Sequence, residues 1–242
     1  MGDTVNEFHS PPTKGKLGKD SFSWEVYVLA FVITLIIFGI GVFLGVNLSK
    51  SELEKTKSQV GTLNDRIVSM QILMLTSSDS LGFNESMLCE MYETAAEEFE
   101  QEAWEIGEQI DYLEVQRGIS DRELKSTYSE LEFRNYMLTN LIRNRCNVTI
   151  HTILYFYSND DKKCSNCFSQ GIELFEARRR LLETGVPVRI YSFDGDLDIQ
   201  LITMLKTHYD VRSYPTLVID GTVYHGFMSS SEILSHVLPQ SS

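Results

Sequence analysis

Hydrophobic positions follow successive patterns along this chain, and each predicts a different kind of element. The first is uninterrupted: Val26 to Ser49 holds 24 residues without a charge, between Glu25 and Lys50. At about 1.5 Å per residue such a helix reaches about 36 Å, enough to cross the ~30 Å hydrocarbon core of a bilayer with some tilt. Phe22, Trp24 and Tyr27 stand at its amino-terminal edge, where amphipathic rings favour the membrane interface. A cleaved signal peptide is shorter and starts earlier, so the run predicts an uncleaved single-pass anchor at 24–49. Residues 1–23 are polar, with Pro11, Pro12, Gly15 and Gly18, and predict a disordered tail.

The second pattern has helical period. Leu53, Val60, Ile67 and Met74 recur every seven residues, with Leu63 and Met70 at the alternate positions and Thr56 as a polar gap. This predicts a coiled-coil-like helix over 51–76, its seam serving either a homodimer or packing within the chain. Ser77-Ser78-Asp79-Ser80 and Gly82 break it. Leu88, Tyr92, Ala95, Phe99, Ala103, Ile106, Ile110 and Leu113 then mark a second helix, whose other face, Glu90 through Glu100 to Glu114, is almost wholly acidic. Without histidines, and with like charges four residues apart, that face reads as solvated rather than metal-binding. Gly118 suits the end of this helix, and Ser120 to Glu123 reads as a capping box opening a third with Leu124, Tyr128, Leu131, Leu138, Leu141 and Ile142. So short a turn makes an antiparallel hairpin over 85–146, completing a helical stalk at 50–147. Folding about Gly118 brings Cys89 near Cys146, which predicts a disulfide closing the open end of the hairpin in place of two buried thiols.

Beyond residue 148 the period shortens. Thr149 to Tyr157 and Val186 to Phe193 read as strands, as do Thr216 to Ile219 and Thr222 to His225 about Asp220-Gly221. Helical runs begin near Cys164, Leu197 and Ser229. The order is β-α-β-α-β-β-α, an α/β domain with a sheet covered on both faces.

Charge changes this picture only in its distribution. The formal net charge is −13, and residues 51–147 carry 19 acids against nine bases. No basic face suggests nucleic acid. All four cysteines, Cys89, Cys146, Cys164 and Cys167, follow the anchor, and so do the sequons Asn84-Glu85-Ser86 and Asn147-Val148-Thr149. Both features suit an oxidising, extracytoplasmic side. Flanking lysines slightly favour the opposite orientation (Lys14, Lys16 and Lys19 before; Lys50, Lys55 and Lys57 after), so the placement rests on the cysteines and the domain type.

Cys164-Ser165-Asn166-Cys167 stands at the first strand-to-helix junction, and Tyr214-Pro215-Thr216 opens the third strand some 50 residues later. With the element order, these features make residues 148–242 resemble the thioredoxin fold, in a compact form close to glutaredoxins. A thiol at a helix amino-terminus meets unpaired N–H groups and the positive end of the dipole, which lower its pKa. Cys164 is the expected exposed nucleophile, Cys167 the resolving thiol, and Lys162 and Lys163 added support for a thiolate. The resemblance implies that Pro215 is cis, lies against the cysteines and excludes metal, and that Tyr214 orients a bound peptide through its backbone. The chain departs from the family in having Lys163 where tryptophan is usual, Ser165-Asn166 for Gly-Pro, and Ser158 where many members carry a buried acid.

The reading is a membrane-tethered thiol–disulfide oxidoreductase acting on protein thiols and disulfides, with no cofactor and no metal site. The alternative is a non-catalytic membrane-anchored scaffold whose thioredoxin-like module binds peptides. Arg178-Arg179-Arg180 reads as a solvated helix face, and His151 and His225 as packing or edge residues.

Overall fold

The computed structural model describes residues 24–75 and 84–238; the expected tail at 1–23 and the helix break at 77–82 lie outside them. Among the described residues, eleven elements follow in order. Helix α1 spans Trp24–Leu75, α2 Glu85–Asp111 with a π-helical turn at Tyr112–Gln116, and α3 Arg122–Cys146. Then come β1 (His151–Tyr157), α4 (Cys167–Glu183), β2 (Val188–Asp194), α5 (Gln200–His208), β3 (Thr216–Ile219), β4 (Thr222–His225) and α6 (Ser230–Val237). By contacts the chain divides into Met1–Leu48 and Ser49–Ser242.

In the first unit, the α1 side chains lie bare of protein: Phe31, Phe38 and Phe43 are 64%, 68% and 67% exposed. A core helix of a soluble domain would be buried, whereas here a window of mean hydropathy 2.8 has no buried residue. Among the described residues, this helix is long and apolar enough to cross a membrane.

In the second unit, Val60, Leu63 and Ile67 of α1 are buried in one core with Leu88, Tyr92, Ala96, Phe99, Ala103, Ile106 and Ile110 of α2 and Leu124, Leu131, Leu138 and Ile142 of α3. Three seam positions, Val60, Leu63 and Ile67, are therefore buried within the chain, and Leu53 and Met70 pack partly buried against the same core. Thr56 is also buried and donates to the Glu52 carbonyl at 3.0 Å, which satisfies its hydroxyl within the helix. Gly118 takes φ +64° after the π-helical turn, and Asp121 caps α3 by accepting from the Leu124 N–H at 2.8 Å. The cap thus falls one residue later than expected, because the aspartate carboxylate holds the N3 amide itself. Helices α2 and α3 approach closely at Gly107, where a Cβ would lie 2.6 Å from the Tyr128 hydroxyl. At the open end, Cys89 and Cys146 are disulfide-bonded with Cα atoms 5.6 Å apart.

The sheet order is β2-β1-β3-β4, with β2 parallel and β3 antiparallel to β1, and β4 antiparallel to β3. Alternation sorts its side chains. Ile153, Tyr155, Val188, Ile190, Leu217 and Ile219 pack with α4 and α6, while Leu154, Phe156, Tyr191, Phe193 and Val218 pack with α5. The helical hairpin is not a separate stalk: Trp104 joins the first of these clusters, Phe133 and Tyr136 join the second, and α3 runs along β2.

That contact corrects two expectations. Glu100, assigned to the solvated acidic face, is 8% exposed, because its helix turns this position toward the sheet. Arg178 also leaves solvent: its guanidinium lies 4.5 Å from the Trp104 ring centroid, and 3.9 Å separates its Nε from Glu100. Arg179 and Arg180 stay exposed and pair with Glu176. On β2, buried Arg189 donates to Thr139 at 2.7 Å, and Thr139 meets the Tyr191 hydroxyl at 2.8 Å. Burial pushes the Glu100 carboxyl up to about 7, against the pull of Arg189, Arg178 and the Ile190 N–H. Burial, with repulsion from Glu100, pushes Glu132 to about 8 against Tyr128 and the Ser192 N–H.

Two outcomes follow from this packing. Replacing both Cys89 and Cys146 by serine should lower stability by about 4 kcal/mol for a loop of 57 residues, read from urea unfolding of the full chain. Unfolded glutamates ionise near pH 4.3. The folded chain therefore holds extra protons between that value and the raised ones, so stability falls as pH climbs from about 5 to about 8 and then levels. The Glu100→Gln, Glu132→Gln double variant should flatten this slope; an unchanged slope would remove the buried pair as its source.

Candidate functional site

Strand β1 delivers the chain to Ser158, which is 2% exposed, and a turned loop then leads to the cysteines. The Lys163 and Cys164 N–H groups both bond to the Asp160 carbonyl, at 2.8 and 2.9 Å, and curl the loop back. Cys164 and Cys167 are joined by a disulfide with Cα atoms 5.5 Å apart. Helix α4 begins at Cys167, after Asn166 as its cap residue, so the second cysteine occupies the first helical position, and Cys164 lies in the preceding turn. Cys164 was expected at the surface, but both cysteines are only 6% exposed.

Cys167 is held from two sides. The Ser158 N–H points at its sulfur at 3.4 Å, and the Tyr155 hydroxyl donates to its carbonyl at 2.7 Å. Fully buried Gln170, one turn on, locks α4 to the loop before α6: it donates to the Met228 carbonyl at 3.0 Å and accepts from the Met228 N–H at 2.8 Å.

Asp196, just past β2, organises the approach. It accepts from the Ser158 hydroxyl at 2.5 Å and from Lys163 at 2.6 Å. Burial raises its pKa, but the bonds from Lys163 and Ser158 outweigh that and hold the carboxyl below its ordinary value. Lys163, conversely, is raised by its bond to Asp196. Its charge, expected to support a thiolate, is taken up by this carboxylate. Lys125 of α3 pairs with the buried Asp194 carboxylate, at the end of β2, and with half-buried Glu114. Glu114 in turn accepts from the Asn159 side chain at 2.9 Å, so the hairpin tip holds the loop before the cysteines.

Tyr214 and Pro215 lie at this same end of the sheet. The Tyr214–Pro215 peptide is cis, and Pro215 directly precedes Thr216, the partner of Phe156 near the end of β1. The Tyr214 ring covers Gly195, where a Cβ would collide with it, and its hydroxyl donates to the Gly195 carbonyl at 3.0 Å. The Pro215 carbonyl accepts from the Gly226 N–H at 2.8 Å. The fold thus gathers Cys164, Cys167, Tyr214 and Pro215 at one end, and leaves Cys89–Cys146 at the open end of the hairpin.

Ser158, Lys125, Asp194 and Asp196 escaped the sequence reading as site residues. One signal pointed to the last two: parallel strands joined by a crossover end on the same side, so the residues closing β2 must neighbour those following β1.

The fold and site define a mixed α/β domain, with a four-stranded sheet and a two-residue-spaced disulfide at its first strand-to-helix junction. No protein-family model matches the chain, and no curated protein sequence matches it. Solved structures similar to part of the chain include two. One, a malarial protein, is 20% identical over 36% of this chain and 92% of that one, with a TM-score of 0.30. The other, the first thioredoxin domain of mouse protein disulfide-isomerase A4, is 21% identical over 43% of this chain and 74% of that one, also at 0.30.

Lys125→Met should lower stability by about 3 kcal/mol, because it leaves the Asp194 carboxylate, 6% exposed, without its cation. Thermal unfolding of the variant measures this; a loss below 1 kcal/mol would show that the pair does not anchor the tip.

Proposed function

We propose that the chain is a membrane-tethered thiol–disulfide oxidoreductase acting on protein thiols or disulfides. The observation that carries this reading is the Cys164–Cys167 disulfide at the start of α4, with the Tyr214–Pro215 turn at the same end of the sheet. In the reducing direction, the Cys164 thiolate attacks one sulfur of a substrate disulfide, and the other sulfur leaves as a thiolate. Cys167 then attacks the Cys164 sulfur, releasing the second substrate thiol and closing the pair with two electrons passed on. The Ser158 N–H and the first turn of α4 both favour negative charge on Cys167, the thiol that must resolve the mixed disulfide. Tyr214 and Pro215 are the substrate-orienting element.

The domain is assigned to the extracytoplasmic side. All four cysteines follow the candidate span, and all are paired in disulfides, which persist where the compartment is oxidising.

One observation favours the second reading, a non-catalytic interaction module: both motif cysteines are buried, as befits a structural bridge. The two readings separate by turnover. With a small-molecule dithiol supplied to re-reduce the motif, full-length protein in detergent should catalyse reduction of a disulfide-bonded protein, Cys164→Ser should fall to the uncatalysed rate, and Cys167→Ser should trap a mixed disulfide. Activity surviving Cys164→Ser refutes the enzyme reading, and a motif disulfide that stays closed in a mild thiol reductant supports the interaction module.

A further inference from the structure

Two sequence motifs stay outside the redox site, and the fold brings them together. Asn84-Glu85-Ser86 and Asn147-Val148-Thr149 each place a hydroxyl residue two positions after an asparagine, with no proline between, the pattern accepted for N-linked oligosaccharide. They flank the same disulfide: Cys89 lies in the second turn of the helix that Asn84 caps, and Cys146 directly precedes Asn147.

We infer that Asn84 and Asn147 are N-glycosylation acceptors, set side by side at the end of the helical hairpin that Cys89–Cys146 closes. The inference rests on the extracytoplasmic placement proposed above. Both asparagines, and the hydroxyl residues Ser86 and Thr149, are exposed. Asn84 caps α2 through Oδ1, which accepts from the Ser86 N–H at 3.2 Å. Substitution at Nδ2 leaves that bond intact. Asn147 ends α3 in the left-handed region, at φ 51° and ψ 39°, outside any regular element. The backbone there belongs neither to a helix ladder nor to the sheet.

The transfer needs a lipid-phosphate-linked oligosaccharide as donor. The bond from the first sugar carbon to the phosphate oxygen breaks, a bond from that carbon to Nδ2 forms, Nδ2 gives up one proton, and the lipid phosphate departs. Placement keeps this modification clear of exchange chemistry. Asn147 precedes β1 and the motif cysteines follow it, and the seven residues of that strand span about 23 Å. Glycans at the disulfide end therefore leave the approach to Cys164 open.

The test uses full-length protein isolated from membranes of a host that glycosylates secreted proteins. Peptide N-glycosidase should sharpen the band and increase its mobility in two resolvable steps. The deglycosylated peptides should carry aspartate at 84 and 147 by mass spectrometry. Ser86→Ala and Thr149→Ala should each remove one step while keeping both asparagines in their caps, so a folding defect at Asn147 does not confuse the result. A membrane-impermeant maleimide applied to sealed cells after reduction reports the topology separately. Labelled cysteines with unmodified asparagines overturn this inference alone. Unlabelled cysteines with unmodified asparagines overturn it together with the extracytoplasmic placement. Modification at one asparagine overturns the assignment of the other.

Discussion

An edge strand carries a row of backbone N–H and C=O groups that its own sheet leaves unpaired, and a strand buried at that edge must find partners for them. Strand β2 is such an edge. The helical hairpin covers it, and two carboxyl groups, from Glu100 and Glu132, are presented to the Ile190 and Ser192 N–H groups. Burying carboxyls is unfavourable unless they take up protons or cations. Here both occur: their pKa values rise, and Arg189 and Arg178 lie close enough to act on Glu100. The hairpin therefore docks through polar groups whose state depends on their neighbours.

That docking carries through to the candidate site. With α3 laid along β2, Lys125 reaches Asp194 at the strand's end, and Glu114 reaches Asn159 in the loop before the cysteines. The loop is thus held from below by the sheet and from the side by helices lying outside the minimal α/β domain. Asp196 completes the frame by binding Ser158 and Lys163 together. Charge that a free Lys163 would offer a sulfur is neutralised, and the Ser158 N–H is left as the group directed at Cys167.

Much of this fold was legible in the residues. The apolar run at 26–49, the β-branched and aromatic run TILYFY and the Asp220-Gly221 turn each act over a few positions, and the elements appear where those patterns place them. The Cys89–Cys146 pairing was also legible, since a hairpin with a known hinge fixes which residues meet. The partner of the heptad seam was not. Leu53, Val60 and Ile67 state that one helix face must be covered, but apolar contact has no direction, and the same stripe suits a second chain or α2 and α3. Glu100 was misread for a related reason: in a helix crowded with acids, one buried position looks like its exposed neighbours until the sheet is set against it.

The sequence by itself determined the elements, the candidate membrane span, the order β-α-β-α-β-β-α and the position of the Cys-x-x-Cys pair, because period, capping and turn chemistry are properties of adjacent residues. Tertiary structure alone decided that the helices pack as part of the domain, that both motif cysteines are buried, and that Asp196 rather than a residue of β1 serves the loop. Those outcomes depend on side chains tens of positions apart, such as Ser158 and Asp196 or Lys125 and Asp194. Their proximity is created only when parallel strands end side by side and the hairpin closes over the free edge.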